Sequence, residues 1–256
     1  MRCRFIDSGN NNPYMNMAID EALLTSNLPV LRFYQWKPAG LSIGYFQSIK
    51  DFNFKNLKKH KVELVRRLTG GNAVLHDKEL TYSFIINENE MLRSVIESYR
   101  VISGGLLKGL RNLGLKAIMN EDVKNGEKSA VCFNDPSWYE ILVNDKKIIG
   151  SAQKRINGKL LQHGAILIDI DVEKYFSLFN SYNKRFIDKL NKRITSINDE
   201  LHEEVDYQKV KRAIKNGFEE SLKIGLVNND LSKAELKLAK KLYKERYSSP
   251  KWNLLR

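Results

Sequence analysis

The sequence predicts an α+β fold: a mixed, largely antiparallel central sheet flanked by helices. Three observations lead there. Segments rich in β-branched and aromatic residues gather in the first two-thirds of the 256-residue chain, with helical patterns between and after them. Two hairpin signals, Asn144-Asp145 and Asn157-Gly158, join consecutive strand-like runs. The regular strand–helix–strand alternation of a doubly wound fold is missing, as are G-x-G-x-x-G and G-x-x-x-x-G-K-[ST].

In chain order, Asn12-Pro13 reads as an N-cap with proline at the first helical position, opening a helix to about Leu24. Val30 to Trp36 reads as a strand, and Leu41 to Phe46 as another after the Pro38-Ala39-Gly40 turn. Lys55 to Lys61 is expected as a short basic connector. Met91 to Leu113 carries a helical apolar stripe, and Gly104-Gly105 within it suggests close packing against a sheet. Polar residues from Asn120 to Ser129 read as a loop. Trp138 to Val143, Lys147 to Ala152 and Leu160 to Ile168 read as strands, the last with a break at Gly164. Helices are expected over Val172 to Phe179 and Tyr207 to Lys223, and Ser232 with Glu235 marks a capping box opening a last helix to about Arg246.

Composition narrows the class. Hydrophobic residues make up 42% and charged residues 29%, a soluble globular balance. No run approaches a membrane span, and the start M-R-C-R-F-I-D-S-G-N lacks a secretory apolar region. Two cysteines, Cys3 and Cys132, are too few for a disulfide framework, so a reducing cytoplasm is the expected compartment. The expected organisation is one domain over 1–256, its core roughly 28–225, with a helical C-terminal segment and no separate accessory domain. The formal charge of +13 raises the question of nucleic acid, yet zinc-finger spacing, an RNP-like aromatic motif and a basic heptad array are all absent. A solvated basic face, or docking of an acidic carrier protein, accounts for the excess.

The chemistry-bearing stretch is V-R-R-L-T-G-G-N-A-V-L-H-D-K-E-L-T-Y-S-F, Val65 to Phe84. Gly70 and Gly71 remove two β-carbons and let a ligand approach the backbone, while Arg66 and Arg67 bring fixed positive charge to the same turn. The plainer reading is a glycine-turn hairpin carrying two surface arginines. Cys132 is the strong nucleophile available, between a polar loop and a hairpin, provided that a cation among Lys147, Arg66, Arg67, His76 and His163 raises its thiolate fraction. The alternative is a buried structural cysteine between Val131 and Phe133. Lys147 begins an apolar strand after a turn, facing either a cleft or solvent. His76 and His163 are acid/base or hydrogen-bonding candidates, and no metal-ligand spacing links the histidines and cysteines.

The wording R-R-x-T-G-G-x-A-V-x-H-D-x-E-L-T-Y-S resembles the signature of the biotin/lipoate protein ligase and octanoyltransferase family. The resemblance extends from N-M-A-I-D-E-A-L-L through L-R-F-Y-Q-W, L-S-I-G-Y-F-Q, P-S-W-Y-E-I, K-I-I-G-S-A-Q-K-R and L-L-Q-H-G-A-I-L, most of the chain. It implies a class II synthetase-like catalytic fold. It also implies that Lys147 of K-I-I-G-S-A holds the acyl carbonyl, and that Arg67, Gly70, Gly71 and His76 line the acyl pocket opposite Gly150, Ser151, Ala152 and Gly164. The words C-F-N-D-P-S-W-Y-E and G-S-A-Q-x-R-x-x-G-x-x-L-Q-H-G resemble the cysteine-dependent octanoyltransferase branch, with Cys132 as nucleophile. Asn72 departs from the pattern, since relatives more often carry Arg or Gly there.

The implied activity is octanoyl transfer from acyl carrier protein to a lysine of a lipoyl-domain protein, such as the glycine cleavage H protein or a 2-oxoacid dehydrogenase E2, with no cofactor, nucleic acid or membrane involved. Three alternatives stay open: an ATP- and Mg-dependent lipoate ligase, octanoyl transfer between lipoyl-domain proteins, and a non-catalytic acyl-binding module.

Overall fold

The computed structural model describes residues 1–120, 140–181, 187–188 and 191–256. An eight-stranded sheet forms the centre. Its strands are β1 (Arg2–Asn11), β2 (Val30–Trp36), β6 (Glu79–Asn87), β7 (Ile118–Asn120), β8 (Glu140–Val143), β9 (Lys146–Ile156), β10 (Lys159–Leu167) and β11 (Gly225–Asn228), in the order β11-β1-β2-β6-β10-β9-β8-β7. The β11, β1 and β2 pairings are parallel and the others antiparallel. The mixed, largely antiparallel α+β class expected from the sequence is therefore the one observed. A second sheet of three strands, β3 (Gly40–Ile43), β4 (Glu63–Arg66) and β5 (Val74–His76), runs in the order β4-β3-β5.

The turn chemistry behaves as read. Asn144-Asp145 and Asn157-Gly158 all adopt positive φ, the geometry of two-residue hairpin turns, and they fix the β8-β9 and β9-β10 registers. Helix α1 (Pro13–Ala22) starts on the Asn12 side chain, which accepts from the Met15 amide. The further helices are α2 (Phe54–Lys59), α3 (Val95–Asn112), α4 (Val172–Ser177), α5 (Ile197–Leu201), α6 (Tyr207–Leu222), α7 (Lys233–Leu242) and α8 (Pro250–Asn253). The Ser232/Glu235 capping box opens α7 as expected, and a π-helical turn, Tyr243–Tyr247, follows it.

Several expectations are corrected. The basic connector at 55–61 is largely helix α2, started by the Asn53 side chain. The strand from Leu41 ends at Ile43, and Gly164 does not break β10, which pairs continuously with β6 from Lys159 to Leu167. The Gly70-Gly71 segment does not close a hairpin: β4 and β5 lie on opposite sides of β3, and β6 crosses to the large sheet. Strands β1, β7 and β11 have no counterpart in the sequence reading, and Asn120, expected to open a loop, ends β7.

The glycines of α3 pack against helix α6 rather than against the sheet. A Cβ on Gly105 would lie 2.9 Å from the Phe218 ring, and one on Gly109 would lie 2.7 Å from the Ile214 Cα. This pair covers one face of the large sheet, where Leu31, Phe33, Tyr82, Phe84, Ile102, Leu106, Leu110, Ile214 and Phe218 form the main apolar cluster. Helix α1, with α7 against it, covers part of the other face through Ile19, Ala22, Val30, Ile85, Leu161 and Ala239. The small sheet meets that same side, and the site lies between them.

Candidate active site

A narrow pocket lies where the two sheets meet, and its empty space, open solvent at the mouth included, is about 410 Å³. Helix α1 contributes Met17, β2 contributes Tyr34 and Trp36, and the small sheet contributes Ser42, Val74 and His76. The loop after β4 brings Arg67 and Gly71, and the β9-β10 ladder brings Gly150, Ser151, Ala152, His163, Gly164 and Ala165. Seven of the residues expected at a binding site thus line one cavity: Arg67, Gly71, His76, Gly150, Ser151, Ala152 and Gly164. Gly164 has a local reason to be glycine, because its Cβ would lie 2.4 Å from the Gly150 carbonyl oxygen and 2.5 Å from Ser151 Oγ. Gly70 is not among the lining residues; its carbonyl accepts from Arg67 Nη2 at 2.7 Å.

The paired arginines are not surface groups. Arg66 is fully buried and donates to the carbonyls of Gly44, Tyr45, Gln47, Trp252 and Asn253, tying the loop after β3 to helix α8. Arg67 is also buried. It donates to Thr69 Oγ1, to the carbonyl and hydroxyl of Ser42, and to the carbonyls of Gly70 and Asn72. Its fork moulds the glycine loop from within, since a guanidinium has donors only.

Two imidazoles form part of the wall. His76 stacks on Trp36 with centroids 4.0 Å apart, contacts Glu79 Oε1 at 2.9 Å through Nδ1 and Ser42 Oγ at 2.8 Å through Nε2. Burial holds its pKa below the ordinary histidine value, more than Glu79 raises it. His163 contacts Asp20 Oδ2 at 3.1 Å through Nδ1 and Thr69 Oγ1 at 2.8 Å through Nε2. Asp20 also receives Arg32 Nη1 at 2.6 Å, the Tyr34 hydroxyl at 2.9 Å and the Ser83 hydroxyl at 2.9 Å. Burial pushes the Asp20 carboxyl up, but Arg32 and His163 together outweigh it and hold it below the usual range. Asp20, Arg32, Ser42, Thr69 and Glu79 carry this network, and none was singled out from the sequence. The signal available was that Asp20, Arg32 and Ser42 lie within three of the family-like words, N-M-A-I-D-E-A, L-R-F-Y-Q-W and L-S-I-G-Y-F-Q.

Lys147 lies on β9, three residues before Gly150, and is not among the pocket-lining residues. It is buried, with Nζ 2.6 Å from Glu140 Oε1 on β8. Cys132 falls outside the described residues, as does the stretch expected from the sequence to be a loop beyond Asn120. Cys3 is fully buried on β1, and burial pushes its thiol up to about 12, so it is inert at neutral pH. Among the described residues, no cluster of three or more His, Cys, Asp or Glu side chains could hold a metal ion, and no helix is long and apolar enough to cross a membrane.

The lipoyl protein ligase A/B catalytic domain matches residues 12–219. Octanoyltransferase LipM of Halalkalibacterium halodurans is 46% identical over 269 residues, covering 98% of each chain. Octanoyltransferase LipM of Bacillus subtilis is 45% identical over 273 residues, covering 99% of this chain and 98% of its own. Among solved structures, a lipoate-protein ligase A bound with ATP superimposes with a TM-score of 0.84 at 27% identity, covering 99% of both chains. A bi-partite lipoate protein ligase from Thermoplasma acidophilum, from a study that includes its E2 lipoyl domain, superimposes with a TM-score of 0.85 at 27% identity, covering 100% of this chain and 98% of its own. With its site at the junction of the two sheets, the chain belongs to the lipoyl protein ligase A/B catalytic domain family and is an acyltransferase.

Proposed function

We propose that residues 1–256 act as one catalytic unit that moves an octanoyl group from acyl carrier protein to a lysine of a lipoyl-domain protein, through a thioester on Cys132. The observation that carries this reading is identity of 41–46% with octanoyltransferases over nearly the whole chain. A largely buried pocket with an apolar share of Met17, Trp36, Val74 and Ala165, fit for a short acyl chain, supports it.

In the first step the Cys132 thiolate attacks the carbonyl carbon. The bond to the carrier sulfur breaks, and the carrier thiol leaves with the proton that Cys132 gave up. In the second step the acceptor amine attacks the new thioester, forms the amide and loses a proton, while the Cys132 sulfur leaves. Thioester exchange is near thermoneutral and amide formation from a thioester is downhill, so neither step needs ATP or another cofactor. Lys147 is assigned to the carbonyl oxygen in both steps, where a positive donor in a low-dielectric site lowers the barrier. Its burial on β9, the strand that also carries Gly150, Ser151 and Ala152, and its pairing with Glu140, which would hold the ammonium in one place, support that role.

A second reading, an ATP- and Mg-dependent lipoate ligase, is favoured by the close superposition on ligases. Intact-mass analysis with octanoyl-carrier protein in nucleotide-free buffer separates the two. An octanoyl adduct that maps to Cys132 and passes to a lipoyl domain is the expected result. Acceptor modification only with free acid and ATP would make the chain a ligase, and an adduct only from an octanoylated lipoyl domain would change the donor.

A further inference from the structure

Two chains of hydrogen bonds along the pocket wall meet at Arg67. One runs from Arg67 Nη1 to Ser42 Oγ at 3.3 Å, on to His76 Nε2 at 2.8 Å, and from Nδ1 to Glu79 Oε1 at 2.9 Å. The other runs from Arg67 Nε to Thr69 Oγ1 at 3.1 Å, on to His163 Nε2 at 2.8 Å, and from Nδ1 to Asp20 Oδ2 at 3.1 Å. Each has the same parts in the same order: guanidinium, hydroxyl, imidazole, carboxylate. All seven side chains are buried.

The ends fix the direction of every proton between them. A guanidinium only donates and an ionised carboxylate only accepts. Both hydroxyl oxygens therefore accept from Arg67. The acceptor that each hydroxyl's own proton finds is the Nε2 of its histidine. At the far ends Glu79 and Asp20 draw a proton from Nδ1. Asp20 is further held as an anion by Arg32 and by the Tyr34 hydroxyl. Each histidine must then carry its proton on Nδ1 and offer a lone pair at Nε2.

We infer that Ser42 and Thr69 are positioning residues that, oriented by Arg67, lock His76 and His163 as neutral Nδ1–H imidazoles and tie the Gly70-Gly71 loop to the pocket wall. Protonating either imidazole would set an Nε2–H against a hydroxyl whose own proton then lacks that acceptor, in a buried site where an unmet polar group is costly. The groups facing the two rings are Ser42, Glu79, Arg67, Trp36, Thr81 and His163 around His76, and Asp20, Thr69 and His76 around His163. The wall presented to an acyl chain thus holds neutral rings. In the transfer reaction proposed above, on which this functional consequence rests, neither Nε2 lone pair is open to substrate, so both rings shape the pocket rather than move the proton.

The direct test is long-range ¹H–¹⁵N NMR of the full chain labelled at histidine, near pH 7.5, with His76 and His163 assigned from the signals lost in His76→Gln and His163→Gln. Both rings should show a protonated Nδ1 and an unprotonated Nε2. A protonated Nε2 on either ring overturns the inference. This readout needs no turnover, so it stands even if the chain proves to be a ligase. Kinetics supply the second arm. Ser42→Ala should raise KM for octanoyl-carrier protein about tenfold, the scale of one lost buried hydrogen bond, with kcat changed far less, and Ser42→Thr should restore it. A fall in kcat at unchanged KM, or equal effects of alanine and threonine, overturns the positioning role. Absence of octanoyl transfer by the wild-type chain would instead count against the proposed reaction. If Ser42→Ala does not fold, the wild-type spectrum decides.

Discussion

On one face of the eight-stranded sheet, α3 and α6 lie over Leu31, Phe33, Tyr82, Phe84 and Leu160, and the helices approach so closely that glycines replace side chains between them. On the other face the same strands turn Arg32, Tyr34, Thr81, Ser83 and His163 toward α1 and the small sheet, and these bury a connected set of charges and hydroxyls. Strand alternation produces both faces from one ladder, with Leu31 and Phe33 one way and Arg32 and Tyr34 the other. The helix-covered face is held by shape. The pocket face is held by matched donors and acceptors, which makes it the more easily damaged by a single deletion: an apolar gap loses contacts, whereas a removed partner strands a buried charge.

The largest effect should come from that second kind of damage. Arg32→Met keeps much of the volume but leaves Asp20 buried without its guanidinium. It should cost about 3–5 kcal/mol in chemical denaturation, the scale of a broken buried ion pair. Adding Asp20→Leu should recover only part of this, because His163, Tyr34 and Ser83 also lose their acceptor. Full recovery in the double variant would mean that the pair is isolated and that the pocket face is no more connected than the helix face.

The helix face gives the next largest effect. A Cβ on Gly217 would lie 2.3 Å from the Gly109 backbone nitrogen and 2.4 Å from the Gly105 carbonyl oxygen, so Gly217→Ala must push the helices apart. Overpacking of this kind costs about 1–3 kcal/mol. Gly104→Ala is the control. Its Cβ would meet only the Ser221 hydroxyl, at 2.8 Å, which can swing away, and helix propensity favours alanine by up to about 1 kcal/mol. Equal losses at both positions would show that the close approach of the helices does not set the cost.

How much of this was legible in the sequence follows the same division. Local signals were sound: the Asn144-Asp145 and Asn157-Gly158 turns, the Asn12-Pro13 start and the Ser232/Glu235 box all act within a few residues, where propensity and hydrogen bonding decide. The T-G-G and G-S-A words hold four of the seven expected residues that line the cavity, Gly71, Gly150, Ser151 and Ala152, and two of these are glycines, which let a backbone come close to a ligand. Long-range pairing was not legible. Strand β1 alternates R-C-R-F, yet its edge partner β11 lies more than 200 residues away, and nothing local announces a parallel pair. Nor was burial of charge: Asp20 beside Glu21, and Arg66 beside Arg67, look like exposed pairs until Arg32, Trp252 and Asn253 supply their partners. Gly104-Gly105 announced close packing but not its partner, since a missing side chain does not say whether a sheet or a helix fills the space.

The smallest expected effect separates the two faces by pH. Among the described residues, the buried titratable groups of the helix face, Cys3 and Tyr82, are pushed by burial well above neutral pH, so this face's stability should hardly respond between pH 7.5 and pH 5.5 apart from general charge effects. On the pocket face, His76 is kept neutral in the folded state, its pKa lowered from 6.5 chiefly by burial, while the unfolded chain leaves it free to protonate near that value. The unfolded state therefore binds the extra proton first. The stabilisation is complete above pH 6.5 and is lost as the pH falls below it, until the folded imidazole also protonates. The slope can reach at most about 1.4 kcal/mol per pH unit for one proton. His76→Gln should remove that part of the slope and leave the rest, with urea midpoints at closely spaced pH values as the measurement. An unchanged slope in His76→Gln would mean that the folded ring takes up its proton as readily as the unfolded one, and the hydroxyl of Ser42 would then have to find another acceptor inside the pocket wall.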